Sequence, residues 1–238
     1  MKKILTTLII TTILFSCKKE TDQLAIIPLG DYAPLTIGKY ITYGLDSLVY
    51  TNFGTIPIHR LYEVKYLTAD TLTDNIGRKA FRIVRYIRTI PAGVFAPDNT
   101  FMAINTGNTY EFVENNLRYF KLTLPIAEGN TWKGNSAIDV TSNNDNQYLA
   151  DWDYTYEKVG QSKQIGSFNL ANTITINQRD VSTNLPVTAA TNIASKTFSQ
   201  DVYAAGIGLV YRNFLNWEYQ PGQNYKGYGI TLQMIDHN

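Results

Sequence analysis

The chain has 238 residues, enough for one large domain or two small ones. A globule of that size buries roughly 70% of its unfolded surface and needs neither disulfides nor metal to stay folded. Lys and Arg number 21 against 20 Asp and Glu, a near-neutral balance that gives no bulk electrostatic reason to bind nucleic acid or an anionic membrane surface. A single cysteine excludes an internal disulfide, and 17 Tyr, 10 Phe and 3 Trp favour pleated, half-buried strands.

In chain order, "MKK" is a short positive head, followed by an uncharged run from Ile4 to Phe15. As a helix that run spans about 18 Å, well short of the ~30 Å hydrocarbon core, so it suits the apolar region of a secretory signal and not a membrane span. Charge returns abruptly at Lys18, directly after the lone Cys17.

Leu14-Phe15-Ser16-Cys17 resembles a bacterial lipoprotein lipobox: an apolar residue, a variable one, a small one, then Cys. The resemblance implies that Cys17 is diacylated on sulfur, that the peptide is cut before it, and that the new amine is acylated. A thiol readily forms the thioether, and a small Ser16 leaves the bond open to the peptidase. Each buried CH₂ adds about 0.8 kcal/mol, so two or three chains make a stable anchor. Lys18, where an Asp would signal retention, resembles the default sorting route to the outer membrane of two-membrane bacteria. Residues 1–16 are therefore expected to be the signal peptide, 17–33 the lipidated N-terminus and a solvated tether, and 34–238 a single β domain. Whether that domain faces the periplasm or the surface stays open.

Beyond Tyr32 no window keeps apolar residues at i, i+3, i+4 and i+7 over three turns, and period-2 segments recur instead. Residues 39–50 and 58–67 alternate roughly. "TDNIG" (73–77) reads as a turn into a strand over 79–90, with Phe81, Ile83 and Ile87 on one face and Arg82, Tyr86 and Arg88 on the other. "TYEFVENNLRYFKLTL" reads as a hairpin, with Asn115-Asn116 able to take the left-handed conformations of a tight turn. Residues 148–159 alternate most cleanly, placing Tyr148, Ala150, Trp152, Tyr154 and Tyr156 opposite Asp151, Asp153, Thr155 and Glu157. Strands over 168–178, 209–219 and 228–235 follow, and polar loops are expected at 141–147 and 182–192. About ten to twelve short-spaced strands predict an all-β antiparallel sheet, strongly curved into a half-barrel or barrel, with a β-sandwich as the alternative. The only helix expected is the signal peptide.

"PLTIGKYITY" and "PIAEGNTWKG" share a Pro, an aliphatic residue, a Gly four after the Pro and an apolar residue three later, which reads as one strand-opening turn used twice. "PLTIGKY" near the start and "YAAGIGLVYR" near the end resemble motifs of uncharacterised bacterial secreted and lipid-anchored β-proteins, some of which have a curved sheet like that of the periplasmic lipoprotein carriers. That resemblance implies a fold and no activity. Gly206 and Gly208 there suit a turn and a close approach before a buried strand.

Sites for chemistry are sparse. The two histidines, His59 and His237, belong to no metal or triad motif, and no nucleophile elbow, Walker or dinucleotide glycine pattern is present. No catalytic residue, metal or cofactor is expected. Tyr148, Trp152, Tyr154 and Tyr156 are candidates for ligand binding as a sugar-stacking platform, although a core face has the same pattern. Asp151, Asp153 and Glu157 share a face and define the enzyme alternative, a carboxylate-based glycan hydrolase. Arg82, Arg85 and Arg88 form a candidate basic patch. "DSL" and "DTL" resemble a short acceptor motif for O-glycosylation in some outer-membrane lipoproteins, which marks Ser47 and Thr71. The resulting expectation is an outer-membrane lipoprotein, tied to the membrane by its lipid, whose β domain is a non-catalytic binding or structural module of the cell envelope. A hydrophobic ligand in the concavity of the sheet is the first version and a glycan the second, with no nucleic-acid partner.

Overall fold

The structure, a computed structural model, describes residues 27–91, 93–142, 144–188, 192–222 and 224–238. Cys17 and the rest of the lipobox lie outside the described residues. Twelve antiparallel strands form one sheet: β1 (Tyr40–Thr51), β2 (Ile56–Thr73), β3 (Lys79–Thr89), β4 (Ala96–Asn105), β5 (Thr109–Glu114), β6 (Leu117–Thr123), β7 (Thr131–Lys133), β8 (Asp153–Ile165), β9 (Phe168–Thr183), β10 (Ala194–Ala204), β11 (Gly208–Gln220) and β12 (Asn224–His237). Their order is β6-β5-β4-β3-β2-β1-β12-β11-β10-β9-β8-β7. Every neighbour is a chain neighbour except β1 and β12, so the meander wraps into a nearly closed barrel whose open seam lies between β6 and β7. The curved-sheet expectation therefore holds, and the two-sheet sandwich does not: all twelve strands belong to one hydrogen-bonded sheet.

Alternation and turn chemistry account for most of the strands. Asn115 and Asn116 have φ of 51° and 63°, the pair of left-handed residues that a two-residue hairpin requires, and they join β5 to β6. In β3 the expected faces are found, since Ile83 is buried while Arg82 and Arg88 pair outside with Asp70 and Glu63. The strand expected over 148–159 starts later, at Asp153. Residues Asn144–Leu149 form a 3-10 turn and Asp151 takes φ of 55°, so the alternation through Trp152 is continued by a turn and not by a strand.

The echoed turn is the same structure twice. The Gly38 N–H donates to the Thr68 carbonyl (2.8 Å), the Lys39 N–H to Thr36 (3.0 Å), and the Thr68 N–H back to Lys39 (2.9 Å). In the second copy the Gly129 N–H donates to Tyr156 (2.8 Å), the Asn130 N–H to Ala127 (3.1 Å), and the Tyr156 N–H back to Asn130 (3.1 Å). Both glycines have positive φ, 86° and 76°, which is why glycine recurs four residues after the proline. The turn docks the opening of β1 on β2, and that of β7 on β8. The barrel is thus two six-stranded halves, each begun by the same device.

The base of the barrel is plugged. α1 (Leu29–Tyr32) is a single helical turn from the end of the segment assigned to the tether, and Leu29, Tyr32 and Ala33 belong to the main core cluster. The Gly206 N–H, in the β10–β11 turn, donates to the Asp31 carbonyl at 2.7 Å and ties the plug in place. The opposite end carries the β1–β2, β3–β4, β5–β6, β9–β10 and β11–β12 turns and the long β7–β8 link. We call it the mouth.

Candidate functional site: the barrel lumen

Side chains from every strand except β7 converge on a cavity of about 560 Å³ inside the barrel. Small-molecule pockets typically occupy about 300–1,000 Å³. Leu45, Ile87, Phe101, Phe214 and Ile230 give it apolar walls. Tyr148 and Tyr228 stand at the mouth, their hydroxyls 3.4 Å apart, and both rings pack against Phe214.

The deep end is polar. Asp201 on β10 is fully buried and is gripped by the Arg212 guanidinium of β11, with Nε 2.8 Å from Oδ1 and a terminal nitrogen 3.0 Å from Oδ2. The Gln178 amide donates to the same carboxylate at 2.9 Å and accepts from the Ser199 hydroxyl. Burial by itself would raise the Asp201 carboxyl, but the Arg212 and Lys121 charges and the hydrogen bonds from Arg212 and Gln178 outweigh it and hold the group below the usual carboxylate range. Glu114 lies 3.6 Å from Arg212 on the other side. Lys121 on β6 is 5% exposed, with Nζ 3.6 Å from Asp201 and 4.6 Å from the centre of the Tyr119 ring. Burial first, and then the Arg212 charge, lower its pKa to about 8, against the opposing pull of Asp201 and Glu114. The unfolded chain therefore binds more protons than the folded one between that value and lysine's ordinary one. This residue's contribution to stability rises with pH across that window.

Three of the four aromatic candidates, Tyr148, Trp152 and Tyr154, do line the lumen, but not as a surface platform: Trp152 and Tyr154 are 2% and 1% exposed. The Trp152 indole donates to the Tyr148 carbonyl (2.7 Å) and the Tyr154 hydroxyl to Asn135 Oδ1 (2.8 Å). Tyr156, fully buried, lies apart from them at the seam. Its hydroxyl accepts from the Thr123 N–H and donates to the Thr123 carbonyl, both at 2.9 Å, as a neighbouring strand would. Beside it the Trp132 indole donates to the Phe120 carbonyl (2.7 Å), and the Phe120 N–H donates to Gly134 (2.8 Å). Two aromatic side chains and one backbone bond thus cover the free edge of β6.

The other candidates are placed as follows. Asp153 is exposed and paired with Lys133 at 3.0 Å, Asp151 sits in the turn before β8, and Glu157 is half-buried on β8. The three arginines do not form a patch: Arg85 turns inward over the Phe101 ring and pairs with Asp98, while Arg82 and Arg88 point out, each on its own carboxylate. His59 is exposed, with Nδ1 2.8 Å from Asp46. Ser47 lines the lumen, whereas Thr71 is exposed on β2. Lys121, Gln178, Asp201 and Arg212 were not singled out from the sequence. Spacing alone offers no signal for them, because an inward polar residue in a strand reads like an outward one.

A second hollow, about 760 Å³, adjoins the mouth. It is lined by Trp217, Tyr225 and Tyr228 with Asn216, Gln220 and Asn224, and it shares Tyr148 and Tyr228 with the lumen.

No family model matches the chain, and no curated protein matches it. One solved structure that does is a Bacteroides fragilis protein assigned as exported, with a YmcC-like fold, at 9% identity and a TM-score of 0.38. The match covers 85% of this chain and 98% of that one. At that level the likeness carries neither a family nor a function across.

Proposed function

We propose that this protein is a non-catalytic binding module of the cell envelope that holds a mainly apolar ligand inside its barrel. The observation that carries the reading is the lumen: a cavity of about 560 Å³ with aliphatic and aromatic walls, in a barrel plugged at its base and open at its mouth. A filled core would have left no room for a ligand. Phe53 and Val94 support the same reading. They stand 93% and 88% exposed on the β1–β2 and β3–β4 connections of the mouth end, where apolar side chains can meet lipid as the ligand is exchanged.

Binding is tested by displacing the fluorescent probe N-phenyl-1-naphthylamine with octanol, decanol and dodecanol. Affinity is expected to tighten about fourfold for each added CH₂ until the lumen is full, the equivalent of about 0.8 kcal/mol per methylene. No displacement by any of the three would sink the reading.

In the same reading Cys17 carries the lipid, and the domain is held at the outer membrane. Cys17→Ala is expected to leave an uncut, unlipidated precursor, detected by mass spectrometry of the membrane fraction. A mature, acylated chain recovered from that variant would refute the anchor.

Glycan binding is the second reading, and the hollow beside the mouth favours it, since half-buried aromatics interleaved with amide side chains suit sugar rings. Soluble oligosaccharides would then quench or shift Trp217 fluorescence while leaving the lumen probe in place.

A further inference from the structure

The deep end of the lumen holds four charged groups, which pair among themselves. Arg212 spends two hydrogen bonds on Asp201 and lies 3.6 Å from Glu114. Asp201 accepts from Arg212 on both oxygens and from Gln178, whose own amide oxygen is taken by Ser199. Lys121 has donors to spare. Its ammonium is nine-tenths buried and faces the cavity, and among the described residues Asp201 is the acceptor it pairs with. That contact is long, 3.6 Å, and its other neighbours are the faces of Tyr119 and Tyr154, at 4.6 and 5.8 Å from the ring centres. A buried ammonium with three donors and one distant acceptor is costly unless something more accepts from it.

We propose that the ligand is an amphiphile with a carboxylate head, that the head docks on the Lys121 ammonium at the deep end, and that the chain runs along Phe101, Phe214 and Ile230 toward Tyr228 at the mouth. This deepens the proposed lumen reading and rests on it. The charge count selects a monoanion. Lys121 and Arg212 are already balanced by Asp201 and Glu114, so a monoanion adds one uncompensated charge, offset by its direct hydrogen bond to the ammonium, and a dianion adds two. The head enters first because the polar groups lie at the closed end. The aromatic mouth then meets the chain, and its methyl end stays nearest the opening.

The test compares decanoate, decanol and decylamine by calorimetry and by displacement of N-phenyl-1-naphthylamine at neutral pH, on the wild-type chain, Lys121→Met and Lys121→Arg. A charge-assisted hydrogen bond to a buried head is expected to favour decanoate over decanol by about tenfold or more, with decylamine weakest. Lys121→Met should lose that preference while keeping its affinity for decanol, and Lys121→Arg should recover part of it. The Met variant removes one cation of a buried pair, but Asp201 keeps Arg212 and the Gln178 amide, and unchanged decanol binding reports an intact lumen. Equal affinities for decanoate and decanol in the wild-type chain, or a decanoate preference that survives Lys121→Met, would overturn the head-group site and leave the lumen reading standing. If none of the three compounds binds, the lumen reading fails and the head-group site fails with it.

Discussion

Replacing Arg212 with Met lowers the free energy of unfolding by about 3–5 kcal/mol at neutral pH, the usual cost of breaking one side of a buried ion pair. The physical reason lies in what is left behind. Asp201 is fully buried, both of its oxygens accept from Arg212, and only the Gln178 amide and the more distant Lys121 remain once the guanidinium is gone. The loss comes from the stranded carboxylate more than from the pair itself. Asp201→Leu in the same chain should therefore return much of the stability, since a buried pair replaced by apolar groups is often neutral. The pH dependence has a definite sign. In the wild-type chain the folded-state pKa of Asp201 is depressed, so its contribution is present above the unfolded value and fades on acidification through the folded one. Without Arg212 the burial that already pushes this carboxyl upward is opposed by less, so the variant gains by protonation where the wild type loses. Urea denaturation at several pH values should show the gap narrowing as pH falls. A gap under about 1 kcal/mol at neutral pH, the size expected of an exposed pair, would mean that water reaches Asp201.

Tyr156→Phe is expected to cost about 2–3 kcal/mol, although it removes a single oxygen. That oxygen satisfies both the N–H and the carbonyl of Thr123 on the free edge of β6, and a group left without a partner out of water costs about 1–3 kcal/mol. Hydrogen exchange gives the specific readout: protection of the Thr123 amide should fall further than that of the amides between β1 and β12. Trp132→Phe removes the neighbouring bond to the Phe120 carbonyl, and the double variant should show coupling, because both side chains hold one seam and their rings lie 4.5 Å apart. Unchanged protection at Thr123 in Tyr156→Phe would show that the edge is satisfied in another way.

How much of this was legible follows from what each strand presents to the interior. Where most inward residues are apolar, as in β3 apart from Arg85, β8 beyond Asp153, and β12, alternation reveals strand and face together. Asn115-Asn116 and the two Pro-to-Gly turns were readable because left-handed backbone restricts residue choice. β4 and β10 were missed. The first opens on Pro-Asp-Asn-Thr, a turn composition. In β10 the buried Ser199 and Asp201 belong to the polar network, so its inner face does not look like one. The same inversion hid Lys121, Gln178 and Arg212. The aromatic candidates were visible as a stripe, but one stripe serves two ends: Tyr148, Trp152 and Tyr154 bound the lumen, while Tyr156 closes the wall. Sequence spacing carries no information on which hydroxyl finds which backbone group across 33 residues.

The order of the sheet places the ends of the described chain at its centre and the middle of the chain at its two free edges. β1 and β12 pair from Ile41–His237 to Val49–Tyr228, a join between residues nearly 200 positions apart. Each six-stranded half can form by local hairpins as it is made, but neither can be locked to the other until the last strand exists. Non-local joins of this kind slow folding. Before that join forms, each half has an unpaired inner edge and an inward aromatic face that only the closed barrel covers. A cell that makes this protein has to keep that exposure brief. Final assembly is set by the arrival of β12, and deleting that strand would split the barrel along its middle where a loss at β6 or β7 would only widen an existing gap.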